Sequence, residues 1–207
     1  MERELDGLGD EELLARCRTT RSAEEIRLAI SIIARRHHAP LIRYLESYVG
    51  EHQTAQDLAQ EAFVRLYRHA RRYQAEKAQV RTWLYRIATN LALNAIRDRR
   101  RKPALSLDRP LGEAEGASLG ARLADRAAPE PSGAALRGEL VERVRAAVAE
   151  LAEPYRSALL LCDLEGLSYQ EAAAALEVPI GTIRSRLFRA RMQLQQRLAP
   201  LLERGAL

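Results

Sequence analysis

The chain has 207 residues, 47% of them hydrophobic but only 5% aromatic, and a formal net charge of +5. That length suits one or two domains, and a Leu- and Ala-rich composition favours helices over strands. No apolar run approaches the roughly 18 residues of a membrane span, and two distant cysteines, Cys17 and Cys162, with no clustered histidine argue against a zinc site or a disulfide framework. The opening MERELDGLGDEELL is acidic and lacks the apolar core of a secretory signal. A cytoplasmic protein without membrane insertion is therefore expected, and His37-His38, with no HExxH spacing, gives no reason to expect a metal or other cofactor.

Hydrophobic periodicity predicts helices over about 10–18, 23–49, 54–71 and 81–100. In 54–71 the residues Ala55, Leu58, Ala59, Ala62 and Leu66 share one side, while Asp57, Gln60, Glu61, Val64 and Arg68 share another. In 81–100 the stripe Leu84, Ile87, Ala88, Leu91 and Ala95 is expected to be buried. The opposite face then carries Thr82, Arg86, Thr89, Asn90, Leu93 and Arg97, with Asn94 beside it. Trp83 is expected to be a core anchor and Tyr85 a half-buried neighbour. YQAEKAQV, 73–80, is expected to be a short polar loop, and the helix after it ends in the basic run Arg99-Arg100-Arg101-Lys102.

Residues 103–136 hold four of the eight prolines and four of the eleven glycines and lack sustained periodicity, which is the composition of a flexible linker. The segment before it carries a net +6, the linker −2 and the segment after it +1. Helices resume near Arg137. Pro154 can open a second one and Gly166 can close it. Ser168 and Glu171 then form the S-x-x-E capping box, in which each side chain satisfies an amide left free at a helix start. This short helix should end near Glu177, and Val178-Pro179-Ile180-Gly181 should turn the chain into a longer basic helix.

A short helix, a tight turn and a longer basic helix make the outline of a helix-turn-helix. Ile183, Leu187, Ala190 and Leu194 fall on the inner side of the second helix. Thr182, Ser185, Arg186, Phe188, Arg189 and Gln193 project outward, with Arg184 and Arg191 on the flank. Residues 139–177 carry a net −5, whereas 178–202 hold five arginines and no acid. A solvated helix usually mixes signs; this one omits acids where a phosphate backbone would repel them. Arginine can also grip guanine with two bonds.

QDLAQEAFVRLYRHARRY (56–73) with RTWLYRIATNLALNAIRDRRR (81–101) resembles region two of bacterial sigma factors, and LSYQEAAAALEVPIGTIRSRLFRAR (167–191) resembles their region four. The order, with only a linker between, is similar to the extracytoplasmic-function (ECF, group IV) sigma factors. The resemblance implies an all-α fold of two small helical domains, a region two bundle over 1–102 and a region four helix-turn-helix over 137–207, joined by the linker 103–136. It implies a dissociable subunit of RNA polymerase that is not an enzyme and needs no cofactor. Asp57, Gln60 and Glu61 would meet the polymerase clamp helices. Arg86, Asn90, Asn94 and Arg97 would meet the minus-ten element, with a base flipped into a pocket of loop 73–80. Arg184, Ser185, Phe188 and Arg189, with Thr182 and Arg186, would meet the minus-thirty-five element, while the other face of region four holds the polymerase flap. An anti-sigma factor is a further implied partner. The sequence departs from the family pattern at RCRTTRSAEEIRLAI (16–30) and in loop 73–80. An autonomous helix-turn-helix regulator is the alternative, but it leaves the 54–71 face and the RTWLYR helix without a purpose.

Overall fold

Ser22 and Gly50 set the limits of the central helix. The Ser22 hydroxyl accepts the Glu25 amide at 3.2 Å, and Gly50, at φ 72, turns back so that its amide reaches the Glu46 carbonyl at 2.8 Å. The computed structural model of the protein describes residues 2–74, 79–101 and 133–203, apart from the side chains of 100, 133–140 and 200–203. Its helices in chain order are α1 Glu2–Asp6, α2 Asp10–Thr19, α3 Ala23–Val49, α4 His52–His69, α5 Val80–Arg101, α6 Gly133–Ala149, α7 Glu153–Leu159, α8 Tyr169–Leu176 and α9 Ile180–Glu203. Among the described residues there is no strand, so the fold is all-α. The proposed linker lies outside the described residues as far as 132, and α6 begins at Gly133, four residues ahead of the expected start.

Helix α3 carries α2, α4 and α5 against its sides. Alanines 55, 59 and 62 let α4 approach closely, and Ile33, Leu41, Leu45, Leu66 and Leu84 are fully buried between the helices. Burying each such side chain contributes about 1.5–3 kcal/mol. The N-terminal segment, ahead of the departure from the family pattern at 16–30, is tied down by polar contacts as well as by Leu5, Leu13 and Leu14. Arg36 donates to the Asp6 and Leu8 carbonyls at 2.6 and 2.8 Å and to the Asp10 carboxylate at 2.8 Å. His37 also pairs with Asp10, and that contact first, then Arg36, holds the Asp10 carboxyl below its ordinary range against the opposing effect of burial.

Helix α7 does not stop at Leu159. It runs into a π-helical turn over Leu160–Leu164, in which the Glu165 amide reaches the Leu160 carbonyl at 3.0 Å. The turn faces Asp163 toward α9 and Glu165 toward α5. Ala158, Leu160, Leu161, Leu167, Ala172, Ile183 and Leu187 belong to the same buried cluster as the residues of α3, α4 and α5. The two helical units therefore share one continuous core. A smaller cluster of Leu151, Leu159 and Ala190 lies on the far side of α7.

Candidate nucleic-acid interface

Helix α8 starts with the capping box read from the sequence: the Ser168 amide donates to the Glu171 carboxylate at 2.7 Å and the Glu171 amide to the Ser168 hydroxyl at 3.2 Å. These bonds hold the Glu171 carboxyl below its ordinary range. The chain leaves α8 at Glu177, which takes the left-handed conformation at φ 54 without being glycine. The Pro179 carbonyl then accepts the Thr182 amide at 2.8 Å to open α9. Ile183, Leu187 and Ala190 are buried, and Leu194 packs half-buried at the edge of the smaller cluster. Arg184, Ser185, Phe188 and Arg189 are exposed, Phe188 at 66%, while Thr182 and Arg186 are half-buried.

The arginines of α9 are held differently from one another. Arg191 makes two bonds to Asp163, at 3.0 and 2.6 Å, which push its guanidinium further toward the charged form. Arg197 pairs with Glu150 at 3.2 Å. Arg189 donates to a neutral acceptor, the Tyr155 hydroxyl, at 3.2 Å. Arg184, Arg186 and Arg189 have no carboxylate within ion-pair range among the described residues. The outward side of α9 thus keeps three uncompensated guanidinium groups beside Ser185 and Phe188. Such a face can meet phosphates and base edges together.

The α5 face expected to meet single-stranded DNA is only partly open. Asn90 and Asn94 are exposed, and Arg97 donates to the Asn94 side chain at 3.0 Å. Arg86 is exposed but paired with Glu177 at 2.5 Å. Thr82 and Thr89, expected on the outer face, are instead buried, at 3% and 2% exposure. Thr89 turns inward because its hydroxyl donates to the Tyr85 carbonyl at 2.7 Å and pairs with the Tyr44 hydroxyl at 2.6 Å. Thr82 is covered because α8 packs on the first turns of α5. The two aromatics also exchange roles. Tyr85 is buried, edge-on to Tyr44 at 4.9 Å, and Trp83 is the half-buried one, stacked on Tyr73 at 5.6 Å.

Glu165 is the centre of this seam. Its carboxylate accepts the Tyr85 hydroxyl, and its backbone carbonyl accepts the Arg81 guanidinium. Burial and this carboxylate together raise the Tyr85 hydroxyl well above its ordinary pKa. At the other end Arg156 lies over the Tyr48 ring at 5.2 Å and donates to the Ala149 carbonyl at 3.1 Å, closing the C-terminus of α6. Glu165 carries no local signal as a cross-unit contact, because its partners lie 80 or more residues away.

On α4 the three residues expected to bind a partner stand together. Asp57 and Gln60 are exposed and Glu61 is half-buried; Asp57 accepts Gln53 at 3.2 Å and Glu61 accepts Arg65 at 2.8 Å. Val64 and Tyr67, at 41% and 37% exposure, add apolar surface beside them. Tyr67 was not singled out by periodicity. Burial pushes the Cys17 and Cys162 thiols up to about 11, so both favour the unreactive thiol form. No helix among the described residues is long and apolar enough to cross a membrane.

Residues 33–102 match the family model of sigma-70 region 2, and residues 141–194 match that of sigma-70 region 4. The chain is 38% identical over 174 residues to the RNA polymerase sigma-H factor of Pseudomonas aeruginosa, covering 84% of this chain and 88% of the relative. It is 40% identical over 148 residues to the ECF RNA polymerase sigma-E factor of Escherichia coli K12, covering 72% of this chain and 75% of the relative. Among solved structures, CnrH in complex with the cytosolic domain of CnrY aligns with a TM-score of 0.64 at 21% identity, covering 92% of this chain and 97% of CnrH. The sigma factor RpoE of Bartonella quintana, in complex with the anti-sigma factor NepR, aligns with a TM-score of 0.56 at 24% identity, covering 78% and 91%.

Proposed function

The chain belongs to the extracytoplasmic-function sigma factors of the sigma-70 family, and on that basis we propose how its faces divide the work of an alternative sigma factor. Residues 1–102 form the unit that holds core RNA polymerase and melts the promoter, 137–207 the unit that positions it, and 103–136 the linker between them. Asp57, Gln60 and Glu61 on α4 dock on the clamp helices. Arg86, Asn90, Asn94 and Arg97 on α5 follow the minus-ten strand. Arg184, Ser185, Phe188 and Arg189, supported by Thr182 and Arg186, enter the major groove at the minus-thirty-five element. The opposite face of the helix-turn-helix unit meets the flap. The role is that of a non-enzymatic initiation factor working in the cytoplasm. The observation that carries this division is the outward side of α9, where three guanidinium groups stand beside Ser185 and Phe188 without a carboxylate partner among the described residues. Run-off transcription with core polymerase on a genomic promoter library tests it; an absence of transcripts dependent on this chain sinks it. A gel shift separates the autonomous-regulator alternative, which requires tight promoter binding without polymerase.

The seam bears on how the free factor behaves. Glu165 and Glu177 occupy Arg81, Tyr85 and Arg86, and α8 covers Thr82, so the first turns of the melting helix are not available in this arrangement. Core polymerase, or an anti-sigma factor acting on the same faces, would then choose between closed and open forms. Trp83, the chain's single tryptophan, sits at the edge of the seam and reports on it. The double variant Glu165→Ala, Glu177→Ala is expected to shift Trp83 emission to the red and increase its quenching by acrylamide. It should also raise binding of minus-ten single-stranded DNA. Unchanged emission and quenching would argue against the seam in solution.

A further inference from the structure

Tyr155 stands out because it touches one of the outward arginines without belonging to α9. Its ring packs into the small cluster of Leu151, Leu159 and Ala190, which fixes the position of the hydroxyl. That hydroxyl accepts a bond from Arg189 Nη1 at 3.2 Å. Pro154 and Tyr155 form one wall of a shallow groove whose other wall is Thr182, Ser185 and Arg186.

The acceptor's chemistry decides what this contact can do. Arg191 is bound to the Asp163 carboxylate through two nitrogens, which orients it but also compensates its charge. A phenol oxygen orients without compensating charge. It engages one nitrogen of Arg189 and leaves Nη2 and Nε as donors, which is what a two-bond grip on guanine requires. An arginine free in solution would have to lose rotamer freedom on docking; one already held by a fixed hydroxyl loses less.

Resting on the reading of α9 as the promoter-reading helix, we propose that Tyr155 is a positioning residue for Arg189, and that it sets discrimination at the base pair Arg189 reads. The hydroxyl acts through the arginine and does not itself read a base.

The test is run-off transcription with core polymerase on promoters differing by single base pairs in the minus-thirty-five element, using wild type, Tyr155→Phe, Arg189→Ala and the double variant. Phenylalanine keeps the ring in its cluster and removes only the hydroxyl. Tyr155→Phe is expected to lower the ratio of transcription from the best to the substituted sequence about five-fold at one base pair, and to add nothing once Arg189 is alanine. A ratio changed by Arg189→Ala but not by Tyr155→Phe overturns the proposal while leaving the reading of α9 intact. Loss spread equally over all promoters, or additive effects in the double variant, also overturns it. If Arg189→Ala leaves every ratio unchanged, the reading of α9 has failed and the proposal with it.

Discussion

Arg189→Ala lowers transcription from a promoter with a matched minus-thirty-five element about 10- to 100-fold, the range expected for losing one good bidentate base contact, while affinity for core polymerase stays at the wild-type level. The expectation follows from where the side chain stands. Arg189 is exposed, its only hydrogen-bond partner among the described residues is a neutral hydroxyl, and Ala190 behind it is buried. Removing the guanidinium therefore opens no cavity and unpairs no buried charge, so the loss is one of recognition and not of folding. On a promoter that depends on its minus-ten element alone, the same variant should lose little. Equal losses on both promoter classes, or a fall in polymerase affinity, would contradict the assignment.

The second large effect is expected on α4. Replacing Asp57, Gln60 and Glu61 together by alanine should weaken binding to core polymerase by about 30-fold or more, as expected when charged groups at an interface centre are truncated. None of the three is buried, and the side-chain partners of Asp57 and Glu61 among the described residues, Gln53 and Arg65, lie on α4 itself. Alanine also suits a helix better than any of them. Circular dichroism should accordingly show the helix intact. A competition assay against labelled wild type reads the affinity, and an unchanged value removes this face from the polymerase interface.

Local rules were enough to place most of the helices. Ser22, Gly50 and the Ser168–Glu171 box mark ends by satisfying particular amides and carbonyls, and those bonds involve neighbours in sequence. The inner stripe of α9 was legible for the same reason, because Ile183, Leu187 and Ala190 are set by helical spacing alone. The five-residue α1 is shorter than two helical turns and leaves no periodicity to read. Thr82 and Thr89 mislead a periodicity argument because each is buried by something the helix does not encode. One is covered by α8, and the other is drawn to a tyrosine hydroxyl 45 residues away. The choice between Trp83 and Tyr85 was settled by partners as distant: Tyr44 for the ring and Glu165 for the hydroxyl. Tyr155 carries no motif, since an aromatic near a helix start has many uses; only its distance from Arg189 singles it out. How the outward residues of α4, α5 and α9 bind their partners depends on molecules whose shapes this chain does not contain.

Glu177 gives the helix-turn-helix turn an unusual economy of parts. A glycine would adopt its left-handed backbone freely, whereas a side chain there costs about 1 kcal/mol, and that cost is present whether the two units are docked or apart. The ion pair with Arg86 exists only when they are docked. Glu177→Gly should therefore raise the thermal midpoint of the open protein and lower the fraction that is closed. Robustness of the fold and readiness to act then become linked properties, raised together by a change at one residue.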